Sequence, residues 1–252
     1  MAILLEHQRD LRRVYAQPFC YICGKAIADG DNLNDDHIPP NGLFKSSDRS
    51  APLILRTHRR CNSDQSADDQ VIAQLIGPIH GRVPSRKDRP LDIEIHELGP
   101  GKTTGILRGQ DLERVIYRWI RGFHAALYGE YLPPPPESRF LTILPFPRMT
   151  QDRPEPNPDP IHDAYQPFME TIAECEKAQM VDQIITRNDK CRYSCVWTKE
   201  NGGGRWFCIY RLDIYNWSDI GDVNNYERRE CVGAYIVPNR EVPERATRLA
   251  RN

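Results

Sequence analysis

Two short cysteine and histidine motifs constrain the fold of this chain more than any other feature. Cys20 and Cys23 are separated by two residues, and His58 and Cys61 repeat that spacing further along the chain. Zinc prefers four thiolate or imidazole ligands at tetrahedral corners, and a tight turn of this length supplies two of them. One pair alone is a weak signal, and its simplest alternative is a set of unliganded buried thiols beside a surface histidine. The two pairs together predict one structural Zn²⁺ ion bound by all four side chains.

Three further polar residues in this segment, Asp36, His37 and Asn62, are not needed to bind zinc. A carboxylate and an amide carbonyl are the oxygen ligands that magnesium prefers. A histidine can accept a proton from water near neutral pH. Each residue alone has an ordinary explanation, as a turn acid, a strand histidine or a residue at a helix start. Their positions relative to the zinc ligands favour a hydrolytic site.

Residues 15–77 resemble the zinc-stapled branch of the HNH (His-Me finger) endonuclease superfamily, which includes bacterial and phage nucleases. The residues that carry the resemblance are 19–24 (FCYICG), 35–40 (DDHIPP) and 57–62 (THRRCN). The resemblance implies a metal-dependent DNA endonuclease with His37 as the general base. It also implies that Asp36 and Asn62 bind a catalytic Mg²⁺ or Mn²⁺ ion. His58 stands where this family often has cysteine, and the late helix residue of the family motif has no obvious counterpart.

The expected fold class is α+β: a ββα-metal (HNH) finger with a structural zinc, then a helix and an antiparallel β-rich C-terminal domain. Helices are predicted at 3–15, 111–128 and 161–185, and antiparallel strands at 191–197, 205–215 and 231–237. The predicted domains are a zinc-stapled nuclease domain at 1–78, a hairpin with a long amphipathic helix at 79–150, a proline-rich linker at 151–160, an α+β domain at 161–240 and a flexible tail at 241–252.

The strand geometry around the predicted base sets a condition on the hydrolytic site. Successive residues of a β-strand point to opposite faces. Asp36 and His37 can therefore share a site only where the backbone is irregular or where the site lies at the strand edge.

The charge balance limits how this chain could bind nucleic acid. Its formal net charge is −1, so a binding surface must be a local patch rather than a field of the whole protein. We predict that such a patch contacts phosphates, which gives affinity without sequence preference. The patch comprises Lys45, Arg49, Arg56, Arg59 and Arg60.

Composition bears on the compartment and on the other cysteines. Residues 1–6 lack the basic start and long apolar run of a signal peptide, and no apolar run approaches the roughly 20 residues of a membrane span. Eight cysteines without a secretion signal indicate reduced thiols, so the sequence predicts a cytoplasmic protein with no membrane partner. The cysteines outside the zinc motifs are predicted to be core thiols, namely Cys175, Cys191, Cys195, Cys208 and Cys231.

Two other functions remain open at this point. One is a zinc-stapled module that binds nucleic acid or protein without cleaving it. The other is a nuclease of a defence or toxin system that is inert until a partner acts through the C-terminal domain. The sequence is also compatible with a homodimer formed through that domain.

Overall fold

The computed structural model describes the segment that carries the metal motifs (residues 17–76, called the finger below), the long helix and the C-terminal strands. The described residues are 2–4, 17–76, 93–99, 102–107, 112–134, 139–143, 160–178, 180–199, 206–214 and 231–236. The predicted flexible tail and all but the last residue of the predicted linker lie outside these ranges. Helices and mainly antiparallel sheets are both present, which confirms the α+β class.

The metal motifs lie on a small strand–strand–helix unit. Strands β2 (Leu33–Ile38) and β3 (Leu53–His58) pair antiparallel. Helix α1 (Arg59–Ser63) follows β3 directly, and helix α2 (Ser66–Ile76) continues after a two-residue break. The chain leaves β2 at the cis peptide bond between Ile38 and Pro39, because proline cannot donate to a strand ladder.

A six-stranded sheet forms the largest part of the structure. Its spatial order is β1 (Ala2–Leu4), β7 (Asp182–Thr186), β8 (Cys191–Lys199), β9 (Trp206–Ile214), β10 (Cys231–Ile236) and β6 (Arg139–Ile143). The three predicted C-terminal strands correspond to β8, β9 and β10, and the neighbours from β7 to β10 pair antiparallel, whereas β1 pairs parallel to β7. The sheet therefore takes strands from segments far apart in the sequence. A separate hairpin of β4 (Ile93–Gly99) and β5 (Lys102–Leu107) accounts for the remaining strands of the described residues.

Two predicted helices are wrong in part. Residues 2–4 form a strand rather than the start of a helix, and residues 5–16 lie outside the described ranges. Helix α4 (Pro160–Lys177) ends before Asp182, where the sequence predicted that it would continue to residue 185. In both cases the segment is too short to distinguish the helical repeat from the alternation of a strand. Pairing with a neighbouring strand then decides the outcome.

Helix α3 (Leu112–Tyr128) lies at the centre of the core and confirms the predicted helix. Every residue from 115 to 128 for which burial is described is buried, so both sides of the helix are covered. One side meets β2, where Ile38 approaches Gly122, and the other meets the sheet, where Phe123 stacks on Tyr193 at 4.6 Å. The finger and the sheet consequently share one hydrophobic core. Gly129 ends the helix at φ +67°, as predicted for a C-terminal cap.

Three of the predicted core thiols are confirmed. Cys191, Cys195 and Cys208 are fully buried in the sheet, whereas Cys175 is half-buried. None of the helices in the described ranges is long and apolar enough to cross a membrane.

Candidate metal centre and the adjoining polar site

The structure brings the four predicted zinc ligands together. The ligand atoms of Cys20, Cys23, His58 and Cys61 all lie within 4.8 Å of one another. The Cys23 Sγ atom is 3.4 Å from Nδ1 of His58. Tetrahedral zinc, with bonds of about 2.3 Å to sulfur and about 2.0 Å to nitrogen, separates two such atoms by about 3.5 Å. The donor set and its spacing fit a zinc ion, so the Cys3His cluster could bind one.

Local backbone geometry explains why the first pair of ligands converges. The Gly24 amide donates to the Cys20 carbonyl at 2.8 Å, and the Cys20 amide donates to the Lys25 carbonyl at 2.9 Å. Gly24 has φ +75°, a conformation that suits glycine, and a Cβ atom there would lie 2.8 Å from the Tyr131 ring. The second pair converges because His58 ends β3 while Cys61 lies in α1.

Burial and proximity shift the thiol pKa values of the cluster in opposite directions. Burial, followed by the nearby Cys20 and Cys23 thiols, raises the pKa of Cys61 to about 12. Burial also acts to raise the pKa of Cys23, but hydrogen bonds from the Lys25 backbone and from His58 lower it below its usual value. Crowded thiols cannot all ionise without a counter-charge, and a divalent cation supplies that charge as it displaces their protons.

Asp31 completes the metal centre and was not identified from the sequence. Its Oδ2 atom lies 3.4 Å from Nε2 of His58, the ring nitrogen that faces away from the cluster. The same carboxylate accepts a 2.7 Å hydrogen bond from the Ala28 amide, which fixes it in the turn at residues 28–31. A carboxylate on the second nitrogen of a metal-binding histidine fixes the ring orientation and its tautomer. The only sequence signal is an aspartate in a turn, which is too common to be diagnostic.

Strand β2 is regular through the predicted catalytic pair. Asp36 lies opposite Leu55, and His37 lies opposite Ile54. Their side chains therefore point to opposite faces. His37 is half-buried on the face that also carries Asp35. Burial, followed by the positive charge of Arg187, lowers the pKa of His37, so the ring is neutral at neutral pH.

Asp36 lies in a buried charge cluster on the other face. It is 4% exposed, accepts a 2.5 Å hydrogen bond from the Tyr21 hydroxyl at Oδ2 and lies 3.6 Å from Nη1 of Arg118. Burial raises its pKa, while Arg118 and the Tyr21 hydroxyl act in the opposite direction. Burial also raises the pKa of Tyr21 well above its usual value, so the phenol remains a donor. This geometry does not fit Asp36 as a ligand of a catalytic Mg²⁺ or Mn²⁺ ion.

The buried cluster continues into helix α2 and was not found by sequence reasoning. Arg118 on α3 also pairs with Asp69 on α2, and one turn earlier Arg114 pairs with Asp68 at 2.5 Å. Burial raises the pKa of Asp69 to about 6, although Arg118 opposes that shift. The available sequence signal was the four-residue spacing of Arg114 and Arg118, which places both on one side of the helix.

Asn62 lies beside strand β2. Its Nδ2 atom donates a 3.4 Å hydrogen bond to the backbone carbonyl of Asp35. Helix α1 thereby places Asn62 close to the residue that shares a face with His37. The described contacts connect Asn62 to the backbone of β2 and connect Asp36 to the interior.

The five predicted phosphate contacts are all exposed. Arg56 lies directly opposite Asp35 and so shares the His37 face, because paired residues of antiparallel strands point to the same side. Lys45 and Arg49 lie in the connection between β2 and β3, and Arg49 Nε donates to the Phe44 carbonyl at 3.1 Å. Arg59 and Arg60 open helix α1. These cations surround the finger, where solvent and a polyanion can reach them.

Comparisons with known proteins add no assignment to this geometry: no protein-family model, no curated protein and no solved structure matches the chain.

Proposed function

We propose that this chain is an HNH-type endonuclease that hydrolyses phosphodiester bonds of DNA, with His37 as the general base and the Cys3His cluster as a structural zinc centre. The observation that carries the proposal is the arrangement of His37 and Asn62. His37 is half-buried on one face of the strand pair that ends in the zinc-cluster residue His58, and the hydrogen bond from Asn62 to Asp35 draws helix α1 against the same strand. Exposed cations adjoin this face, as a polyanionic substrate requires.

In this mechanism the neutral imidazole of His37 removes a proton from water. The resulting hydroxide attacks phosphorus, and the bond from phosphorus to the 3′ oxygen breaks. The departing 3′ oxygen takes a proton from solvent water, so the products carry a 5′-phosphate and a 3′-hydroxyl. Arg56, Lys45 and Arg49 hold the phosphate backbone and offset the negative charge that develops on the phosphoryl oxygens.

A divalent ion would supply Lewis-acid stabilisation of that charge when bound. Asp36 does not fit as its ligand in the described arrangement, because the Asp36 carboxylate is buried against Tyr21 and Arg118. Asp35 is the exposed carboxylate on the His37 face. No step of the mechanism above is assigned to the ion.

The test is plasmid cleavage with and without Mg²⁺ or Mn²⁺ at matched zinc content. We expect His37→Ala to lower the cleavage rate by about 100-fold or more, the usual contribution of a general base. Asp35→Asn and Asp36→Asn form a matched pair that identifies which carboxylate the reaction needs. Equal cleavage by the wild type and His37→Ala would refute the role of His37, and a wild type inactive with every ion would refute the nuclease.

A second function is favoured by the burial of Asp36, namely a zinc-stapled module that binds DNA without cleaving it. It needs the exposed cations but not His37. Duplex binding measured over a range of salt concentrations separates the two functions. The module predicts that Arg56→Ala reduces affinity and the salt slope, while His37→Ala changes neither binding nor any chemical product.

A further inference from the structure

The turn between β7 and β8 places a buried arginine against the segment that follows His37. The Arg187 side chain is fully buried. Its Nη1 atom donates to the Arg49 carbonyl at 2.9 Å, its Nη2 atom donates to the Pro39 carbonyl at 3.2 Å, and its guanidinium carbon lies 4.9 Å from the Phe44 ring centroid. One side chain from the sheet therefore contacts the start, the middle and the end of the segment at residues 39–49.

The backbone of the turn reinforces this contact. The Arg187 amide donates to the Ala51 carbonyl at 3.1 Å, and the Thr186 hydroxyl donates to the same carbonyl. Asn188 donates from its side chain to the Ser50 hydroxyl at 2.5 Å. Arg187, Asn188 and Asp189 have φ values of 61°, 51° and 67°. Three successive non-glycine residues in the left-handed region are unfavourable, so tertiary contacts must hold the turn in this form.

The segment that Arg187 holds matters for the proposed reaction. It begins two residues after His37 and carries Lys45 and Arg49, two of the proposed phosphate contacts. Arg49 makes two hydrogen bonds in this segment. Its carbonyl accepts one from the Arg187 side chain, and its own side chain donates one to the Phe44 carbonyl. A planar guanidinium can bind two carbonyl groups in a fixed geometry, which a lysine cannot do.

We propose that Arg187 is a positioning residue of the nuclease site, through which the C-terminal sheet fixes the segment after His37 relative to strand β2. This inference rests on the proposed function. Arg187 is too deeply buried to contact DNA, so its effect is exerted through the Pro39 and Arg49 carbonyls. Displacing a catalytic group by about 1 Å can cost about 100-fold in rate, whereas exposed phosphate contacts tolerate small shifts.

The experiment compares the full-length wild type with Arg187→Met, Arg187→Lys and Arg211→Met in plasmid cleavage, at matched zinc content and well below each unfolding temperature. Arg211 is a matched control, because it is also a buried arginine of the sheet but binds Glu176 and Asp213 instead of the finger. We expect Arg187→Met to lower kcat about 10-fold or more with KM within about threefold. Arg187→Lys should fall between Arg187→Met and the wild type, and Arg211→Met should keep the wild-type kcat.

Hydrogen exchange gives a readout that does not depend on activity. Amides at residues 41–51 should exchange faster in Arg187→Met than in Arg211→Met, while those of the metal-binding turn at residues 20–25 should be unchanged. An active wild type with unchanged kcat and unchanged exchange in Arg187→Met refutes this inference alone. A wild type that does not cleave refutes the proposed function, and this inference with it.

Discussion

The buried arginine Arg118 offers a sharp test of how the finger is held to helix α3. Its side chain is 5% exposed, as is that of Asp36, and that of Asp69 is 15% exposed. Replacing Arg118 with methionine keeps an unbranched apolar side chain but removes the charge between two buried carboxylates. The finger should then be destabilised, because each carboxylate must either remain charged without its partner or take up a proton.

The expected magnitude follows from the burial of the partners. Removing one member of a buried ion pair costs about 3–5 kcal/mol of unfolding free energy. Arg114 on the previous helical turn makes a similar pair with Asp68, but its side chain is 61% exposed. Removing an exposed pair costs about 0.2–1 kcal/mol. Arg118→Met should therefore be more destabilising than Arg114→Met by about 3 kcal/mol, the difference between these two ranges.

Denaturant unfolding at a fixed saturating zinc concentration measures both variants, since equal zinc keeps the contribution of metal binding constant. A double-mutant cycle with Asp36→Asn identifies the partner. In that background Arg118→Met should cost about 1–3 kcal/mol less, because no charged carboxylate is left behind at position 36. Equal destabilisation by Arg118→Met and Arg114→Met, or additive effects in the cycle, would refute this account of the cluster.

Two further predictions concern the metal centre and the packing beside His37. Asp31→Asn should lower zinc affinity about 10-fold, measured in competition with a chromophoric chelator, because it weakens the hydrogen-bond partner of His58. Asp29→Asn in the same turn is the control. Equal affinities for the two variants would contradict the role of Asp31. Gly122→Ala should lower the free energy of unfolding by about 1–3 kcal/mol, because the new Cβ atom would lie 2.3 Å from Cδ1 of Ile38. Ile38→Val removes that Cδ1 atom, so the double variant should recover part of the lost stability. A Gly122→Ala variant more stable than the wild type would refute the clash.

Sequence reasoning succeeded where the signal is local. The spacing of Cys20 and Cys23 confines both thiols to one turn, and the donor types then limit the ligand to a soft or borderline metal. The apolar periodicity of residues 112–128 predicted α3 to within one residue, because seventeen residues give enough turns to define a helical face. Short segments such as Ala2–Leu4 and Asp182–Thr186 contain too few apolar residues to distinguish a helix from a strand.

By itself, the sequence determined which four side chains form the candidate zinc cluster, the α+β class and the condition that Asp36 and His37 point apart on a regular strand. Only the tertiary structure decided which of the two faces the interior. Arg118 and Arg187 reach the finger from distant parts of the chain, one drawing Asp36 inward and the other holding the segment after His37. The free energy of a buried charge depends on the partners that the whole fold brings to it, and no local pattern records those partners.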